Sequence, residues 1–127
     1  MNKNLSITTF LGLTAIVLGA FATHKLEGKL TAEAMSSLET AIRYQIYHVI
    51  VLLFVNSYDD FVEKFKNWVS LFFFSGVLFF SGSIYMIYLL GVSAKSIWFI
   101  TPLGGGLLII GWLLLFFFFT KKVINKK

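Results

Sequence analysis

Four long apolar stretches, separated by short polar segments, dominate the chain. They lie at about residues 5–23, 38–57, 68–90 and 102–120. A stretch of about 18 or more mostly apolar residues is long enough to cross the hydrocarbon core of a bilayer as a helix. The pattern therefore predicts an all-α, polytopic membrane protein, a four-transmembrane-helix bundle that forms one domain over residues 1–127.

The second helix is predicted to begin well before its apolar part. Thr31 is a typical N-cap residue, and Glu33 in the first turn suits the helix dipole. We expect one continuous helix from about Ala32 to Ser57, whose amphipathic first turns form an interfacial extension at the start of helix 2. Its apolar stripe recurs at spacings of three and four residues: Met35, Leu38, Ile42, Ile46 and Val49.

Small residues recur seven positions apart in the third and fourth apolar stretches. Because small side chains allow membrane helices to approach closely, these positions are predicted to lie at helix–helix contacts. The candidate packing residues are Ser75, Gly76, Gly82, Gly104 and Gly111. The fourth helix is predicted to start at Thr101 as N-cap, with Pro102 in the first helical position.

Composition and charge agree with a membrane protein. The chain is 57% hydrophobic and 13% charged, whereas an average soluble domain is about 25% charged. There is no cysteine, which excludes disulfides and thiolate metal sites. The net charge of +5 comes from lysines that flank the apolar stretches, so membrane lipids explain it and no nucleic acid partner is expected.

The distribution of basic residues predicts the orientation in the membrane. Seven lysines lie on the side of the chain termini and the Lys64/Lys66 loop, whereas the opposite side carries Lys25, Lys29, Arg43 and Lys95. Because Lys and Arg are enriched on the cytoplasmic side, both termini are expected in the cytoplasm.

Polar side chains enter the second apolar stretch as "RYQIYH", Arg43–His48. With the first loop outside, this segment is expected to meet polar groups of the other three helices in the outer half of the bilayer. The expected cluster comprises His24, Arg43, Tyr44, Gln45, Tyr47, His48, Ser81, Ser83, Tyr85 and Thr101. Such a cluster is either a hydrogen-bonded network that fixes helix register or a site for a ligand or protons. The pattern slightly favours the first reading, with a neutral His48 that offers one donor and one acceptor.

Metal, haem and catalytic sites find little support in the residues available. Two histidines without cysteine or a nearby carboxylate pair leave a metal ion incompletely coordinated, and bulky phenylalanines leave little room for a haem between His24 and His48. Ser81 or Ser83 beside His48 would need a carboxylate to orient the imidazole, and the apolar stretches contain none. We therefore expect no catalytic site, no metal and no cofactor.

Four blocks of the sequence resemble the domain of unknown function 423 family, the UPF0382-type small membrane proteins. The blocks are "GAFATHKL" (Gly19–Leu26), "RYQIYH", "FSGSIY" (Phe80–Tyr85) and "TPLGGGLLIIGW" (Thr101–Trp112). The family more often has Gly-Ala-His after the phenylalanine of the first block, where this chain has Ala22-Thr23-His24. The resemblance implies four spans and the plasma membrane of a bacterium, and it brings no established activity.

Two classes of function remain open from the sequence. The first is a non-catalytic accessory or assembly subunit of a membrane complex, expected from the small size and the faces of small residues. The second is a protein that binds or transports a lipid headgroup, a quinone-like molecule or another amphiphile in an outer-leaflet polar pocket. Either class implies a membrane-protein partner or a homo-oligomer.

Overall fold

Four long α-helices account for most of the residues that the structure, a computed structural model, describes (2–126). They are α1 (Asn2–Phe21), α2 (Ala32–Val55), α3 (Glu63–Leu89) and α4 (Ile100–Asn125), and α1 continues into a short π-helix at Ala22–Leu26. All four are long and apolar enough to cross a membrane, and no strand occurs over residues 2–126. The prediction of an all-α, four-helix membrane bundle is confirmed.

Helix α2 begins where its sequence signals place it. The hydroxyl of Thr31 accepts a hydrogen bond from the backbone N–H of Ala34 at 3.1 Å, so the predicted N-cap is confirmed. Glu33 occupies the first turn, where its carboxylate faces the positive end of the helix dipole. The helix then runs unbroken to Val55, two residues before the predicted end at Ser57.

The predicted start of the fourth helix is wrong by two residues. Helix α4 begins at Ile100 with Phe99 as its N-cap, and Thr101 already lies inside the first turn. The hydroxyl of Thr101 is not used as a cap because it hydrogen-bonds to the hydroxyl of Ser83 on α3. Pro102 is tolerated there, since backbone N–H groups of the first turn have no partner within the helix.

Helices α2 and α3 form the centre of the bundle, with α1 packed on α2 and α4 packed on α3. Glycines set the distance between α3 and α4. A Cβ atom on Gly104 would lie 2.8 Å from the carbonyl carbon of Phe79, and one on Gly76 would lie 3.0 Å from the backbone nitrogen of Leu108. Gly111 similarly adjoins the ring of Phe73. The two backbones therefore approach as closely as the absence of side chains allows.

The other two candidate packing residues lie outside this close contact. Ser75 is half-buried, and a Cβ on Gly82 would meet only Leu78 of its own helix, at 3.8 Å. Conversely, small residues that were not predicted from the sequence pack α1 on α2. These are Thr8, Gly12, Ala15 and Gly19, and a Cβ on Gly12 would lie 3.3 Å from a methyl group of Val49.

The turns at one end of the bundle are held by an ion pair. The carboxylate of Asp60, in the segment between α2 and α3, accepts a hydrogen bond from the ammonium of Lys122 near the end of α4. This hydrogen bond and the positive charge of Lys122 hold the pKa of the Asp60 carboxyl below its usual value. The α2–α3 turn and the end of α4 therefore lie side by side.

Candidate functional site

Gln45 is the residue at which three helices are joined. It is 97% buried on α2, and its amide nitrogen donates to the carbonyl oxygen of Leu11 (2.7 Å) and to the hydroxyl of Thr14 (2.9 Å), both on α1. Its amide oxygen accepts a hydrogen bond from the hydroxyl of Tyr85 on α3 at 2.7 Å. One side chain therefore fixes the register of α1, α2 and α3.

His48 lies one turn further along α2 and joins it to α4. The indole nitrogen of Trp112 donates to Nε2 of His48 at 3.0 Å. Because an indole N–H is solely a donor, Nε2 must be unprotonated, and the proton of a neutral imidazole then lies on Nδ1. That N–H donates to the carbonyl oxygen of Tyr44 at 2.7 Å. Both ring nitrogens are thus used within the bundle.

Two serines of α3 complete the contacts between helices. The hydroxyl of Ser81 donates to the carbonyl oxygen of Ala41 on α2 at 2.7 Å. Ser83 donates to the carbonyl oxygen of Phe80 or shares a hydrogen bond with Thr101 on α4. Together with the two residues of α2 and with Tyr85, these form what we call the inner polar set: Gln45, His48, Ser81, Ser83, Tyr85 and Thr101.

The remaining candidates lie on the outside of the bundle. His24 is exposed in the π-helix and contributes no hydrogen bond to the inner polar set. Arg43, Tyr44 and Tyr47 are exposed on α2, and we call them the α2 polar surface. Tyr44 stacks on Phe80 with ring centroids 4.8 Å apart. The ten candidates therefore do not lie in one pocket: six form the inner polar set, and four lie on the outside of the bundle.

A second polar network, which the sequence analysis did not identify, ties the opposite ends of the same helices. The amide of Asn4 on α1 donates to the side-chain oxygens of Asn56 (3.0 Å) and Asn67 (2.9 Å). Asn56 in turn donates to the hydroxyl of Ser70 on α3 at 2.9 Å. The only signal in the sequence was the occurrence of asparagines beside the ends of apolar stretches.

The buried polar side chains are paired within the bundle. Among the residues described, every buried side-chain nitrogen or oxygen has a hydrogen-bond partner. Over the same residues no three His, Asp or Glu side chains lie together as metal ligands would. The side chains of the inner polar set therefore hydrogen-bond to one another and to neighbouring helices.

Several cavities open on the sides of the bundle, and two of them are lined by α2. The larger, which we call the α2–α4 groove, has a volume of about 680 Å³ and an almost wholly apolar lining. Its walls are Ile50, Val51 and Phe54 of α2 and Trp112, Leu115, Phe116, Phe119, Thr120 and Val123 of α4. The smaller, of about 300 Å³, lies between the π-helix and α2 beside Glu39 and Arg43.

Comparison with known proteins finds one family of membrane proteins and several of its members. The family described as "Protein of unknown function (DUF423)" matches residues 18–105. A UPF0382 membrane protein of Staphylococcus epidermidis is 43% identical over 97 residues, covering 76% of this chain and 78% of the relative. A UPF0382 membrane protein of Haemophilus influenzae is 37% identical over 108 residues, covering 85% of this chain and 86% of the relative.

A more distant relative extends the comparison. UPF0382 inner membrane protein YgdD of Escherichia coli is 32% identical over 96 residues, which are 74% of this chain and 71% of the relative. No solved structure matches the chain. The names of the relatives and the four apolar helices agree that this is a membrane protein. The chain belongs to the DUF423 family of UPF0382 membrane proteins.

Proposed function

We propose that the protein is a non-catalytic accessory subunit that binds another membrane protein through its α2 polar surface. One observation carries this proposal. Arg43, Tyr44 and Tyr47 lie on the outside of the second span, and within residues 2–126 their side-chain polar atoms form no hydrogen bond. Tyr47 is half-exposed, so its hydroxyl is free to meet a partner.

Polar groups at this depth are costly when they face lipid. Arg43 is expected in the outer half of the bilayer, and an arginine within a membrane-spanning segment usually faces protein or pairs with a polar group. A partner that supplies hydrogen-bond acceptors would reduce the cost of placing Arg43 there. Arg43 and Tyr47 are four residues apart on α2, so they stand about 6 Å apart along the helix and form one patch. We infer a partner helix that carries a carboxylate at the depth of Arg43.

Arginine and tyrosine also suit a contact surface for general reasons. Both are enriched among the residues that contribute most to protein–protein binding. The stacking of Tyr44 on Phe80 restricts its ring, so less conformational entropy is lost when a partner binds. The surface is therefore partly organised before association.

The alternative function, a small-molecule site in the inner polar set, has weaker support. Both nitrogens of His48 and both ends of the Gln45 amide are already bonded within the bundle. Catalysis by Ser81 has weak support for the same reason, since its hydroxyl already donates to the carbonyl oxygen of Ala41. A ligand would have to break these hydrogen bonds before it could form its own.

Purification in a gentle detergent tests the proposal. The wild-type protein is expected to retain a different membrane protein at a fixed stoichiometry, and an Arg43→Leu/Tyr47→Leu double variant is expected to lose it. A Leu78→Ala variant, changed at an exposed position of α3, is the matched control and is expected to keep the partner. A wild-type protein that is a monomer or homo-oligomer carrying lipid alone contradicts the proposal.

We also propose that both termini lie in the cytoplasm, as the distribution of lysines suggests. A single cysteine at Lys121, on the exposed side of the end of α4, would report this orientation. Membrane-impermeant thiol reagents are expected to label it in opened but not in intact cells. Labelling of this cysteine in intact cells would show that the C-terminus lies outside, which contradicts the proposed orientation.

A further inference from the structure

The α2–α4 groove has the length of one leaflet of a bilayer. On α4 its lining runs from Trp112 to Val123, which corresponds to about 16 Å at 1.5 Å per residue. Half of a bilayer's hydrocarbon core is about 15 Å thick. The groove is therefore as long as one extended acyl chain of a single leaflet.

The two ends of the groove differ in chemistry. At the middle of α4 the groove is closed by Trp112, whose indole is held by the hydrogen bond to His48 and by an edge contact with its ring at 6.0 Å. The walls beyond this point are apolar side chains, apart from Thr120. The closed end thus lies deep in the bilayer and offers no free polar group.

The open end of the groove reaches a cluster of lysines. Lys126, the C-cap residue that follows α4, comes three residues after Val123, close to one helical turn, and so lies on the same side as the groove. Lys126 is exposed, and within residues 2–126 it forms no ion pair. Lys122, in contrast, is already bound to Asp60. An exposed positive charge, which also acts on the Asp60 carboxylate, therefore stands where an acyl chain in the groove would meet its headgroup.

We propose that the α2–α4 groove binds an anionic phospholipid, with one acyl chain between α2 and α4 and the phosphate beside Lys126. The apolar walls match the chain, and the lysine matches the charge of the headgroup. This site is separate from the α2 polar surface, which lies on the other half of α2. If the lipid site is disproved, the proposed subunit function is therefore unaffected.

Native mass spectrometry of the full chain in detergent tests this site, with phosphatidylglycerol and phosphatidylethanolamine of identical acyl chains as probes. We expect the phosphatidylglycerol adduct to dominate. Removing one lysine near an anionic headgroup corresponds to about fivefold weaker binding, which is the effect expected for Lys126→Gln. Lys121→Gln is the matched control, because residue 121 lies off the groove face of α4, and it is expected to change binding less than twofold.

A second pair of variants tests the groove itself. Thr120→Trp places a large ring among the lining residues and is expected to weaken adduct formation at least tenfold. Ile110→Trp is the control, because Ile110 is exposed about 140° around α4 from Val123, and it is expected to leave adduct formation unchanged. If Thr120→Trp does not fold, Val123→Trp takes its place. The proposal is overturned if both lipids bind equally, or if Lys121→Gln weakens lipid binding as much as Lys126→Gln does. It is also overturned if the protein is a dimer that Thr120→Trp dissociates.

Discussion

Replacing Gln45 by leucine should destabilise the bundle even though leucine has nearly the same size and is more apolar. The substitution removes the three hydrogen bonds that join Gln45 to Leu11, Thr14 and Tyr85. At about 0.6 kcal/mol each, these give a loss of about 2 kcal/mol. The hydroxyl of Tyr85 also loses its acceptor, which costs about 1 kcal/mol more if no other group replaces it. We therefore expect a free energy of unfolding lower by about 2–3 kcal/mol.

Unfolding in mixed micelles, titrated with a denaturing detergent, measures this difference directly. Tyr47→Leu is the matched control, because it removes a polar side chain from the exposed face of the same helix and should change stability by less than about 0.5 kcal/mol. A double-mutant cycle between Gln45→Leu and Tyr85→Phe should give a coupling energy of about 0.6 kcal/mol. The reasoning fails if Gln45→Leu is as stable as the wild type, or if Tyr47→Leu loses as much.

Three further predictions concern contacts elsewhere in the bundle. Gly104→Ala should lower the free energy of unfolding by about 1–3 kcal/mol, because its Cβ would overlap the backbone of α3. Gly106→Ala is the control and should be neutral in the same assay, since no atom lies within 4 Å of its Cβ position. Nitrogen NMR of the imidazole should find His48 as the Nδ1–H tautomer, and an Nε2–H signal would contradict this assignment. Trp112→Phe should lower the free energy of unfolding by about 1 kcal/mol, because it leaves Nε2 of His48 unpaired. Because folding lowers the pKa of Asp60, its ion pair stabilises the protein at a pH above the ordinary carboxyl pKa, and this stabilisation is lost as the pH falls towards the lowered pKa. Carbon NMR of the carboxyl should show the titration. Asp60→Asn should abolish that part of the pH dependence of stability.

The sequence by itself determined the number of helices, their approximate positions and the cap of α2. These features depend on local properties: the length of an apolar stretch, or the preference of Thr31 for an N-cap. The spacing of small residues likewise indicated that Gly76, Gly104 and Gly111 would lie at helix–helix contacts, and in the structure they lie between α3 and α4. A helical repeat is a local property, so it can be read without knowing the neighbour.

The tertiary structure alone decided which polar residues of "RYQIYH" face inwards. In a soluble protein an apolar stripe marks the buried face of a helix, but lipid is as apolar as the core, so hydrophobicity does not distinguish the two faces here. Gln45 and His48 are buried because Thr14 and Trp112, 31 and 64 residues away in the chain, supply their hydrogen-bond partners. Arg43 precedes Gln45 by only two residues, which places it about 160° around the helix, and within residues 2–126 no such partner stands there. Helical periodicity shows which residues share a face, and only the packing of the four helices decides what that face meets.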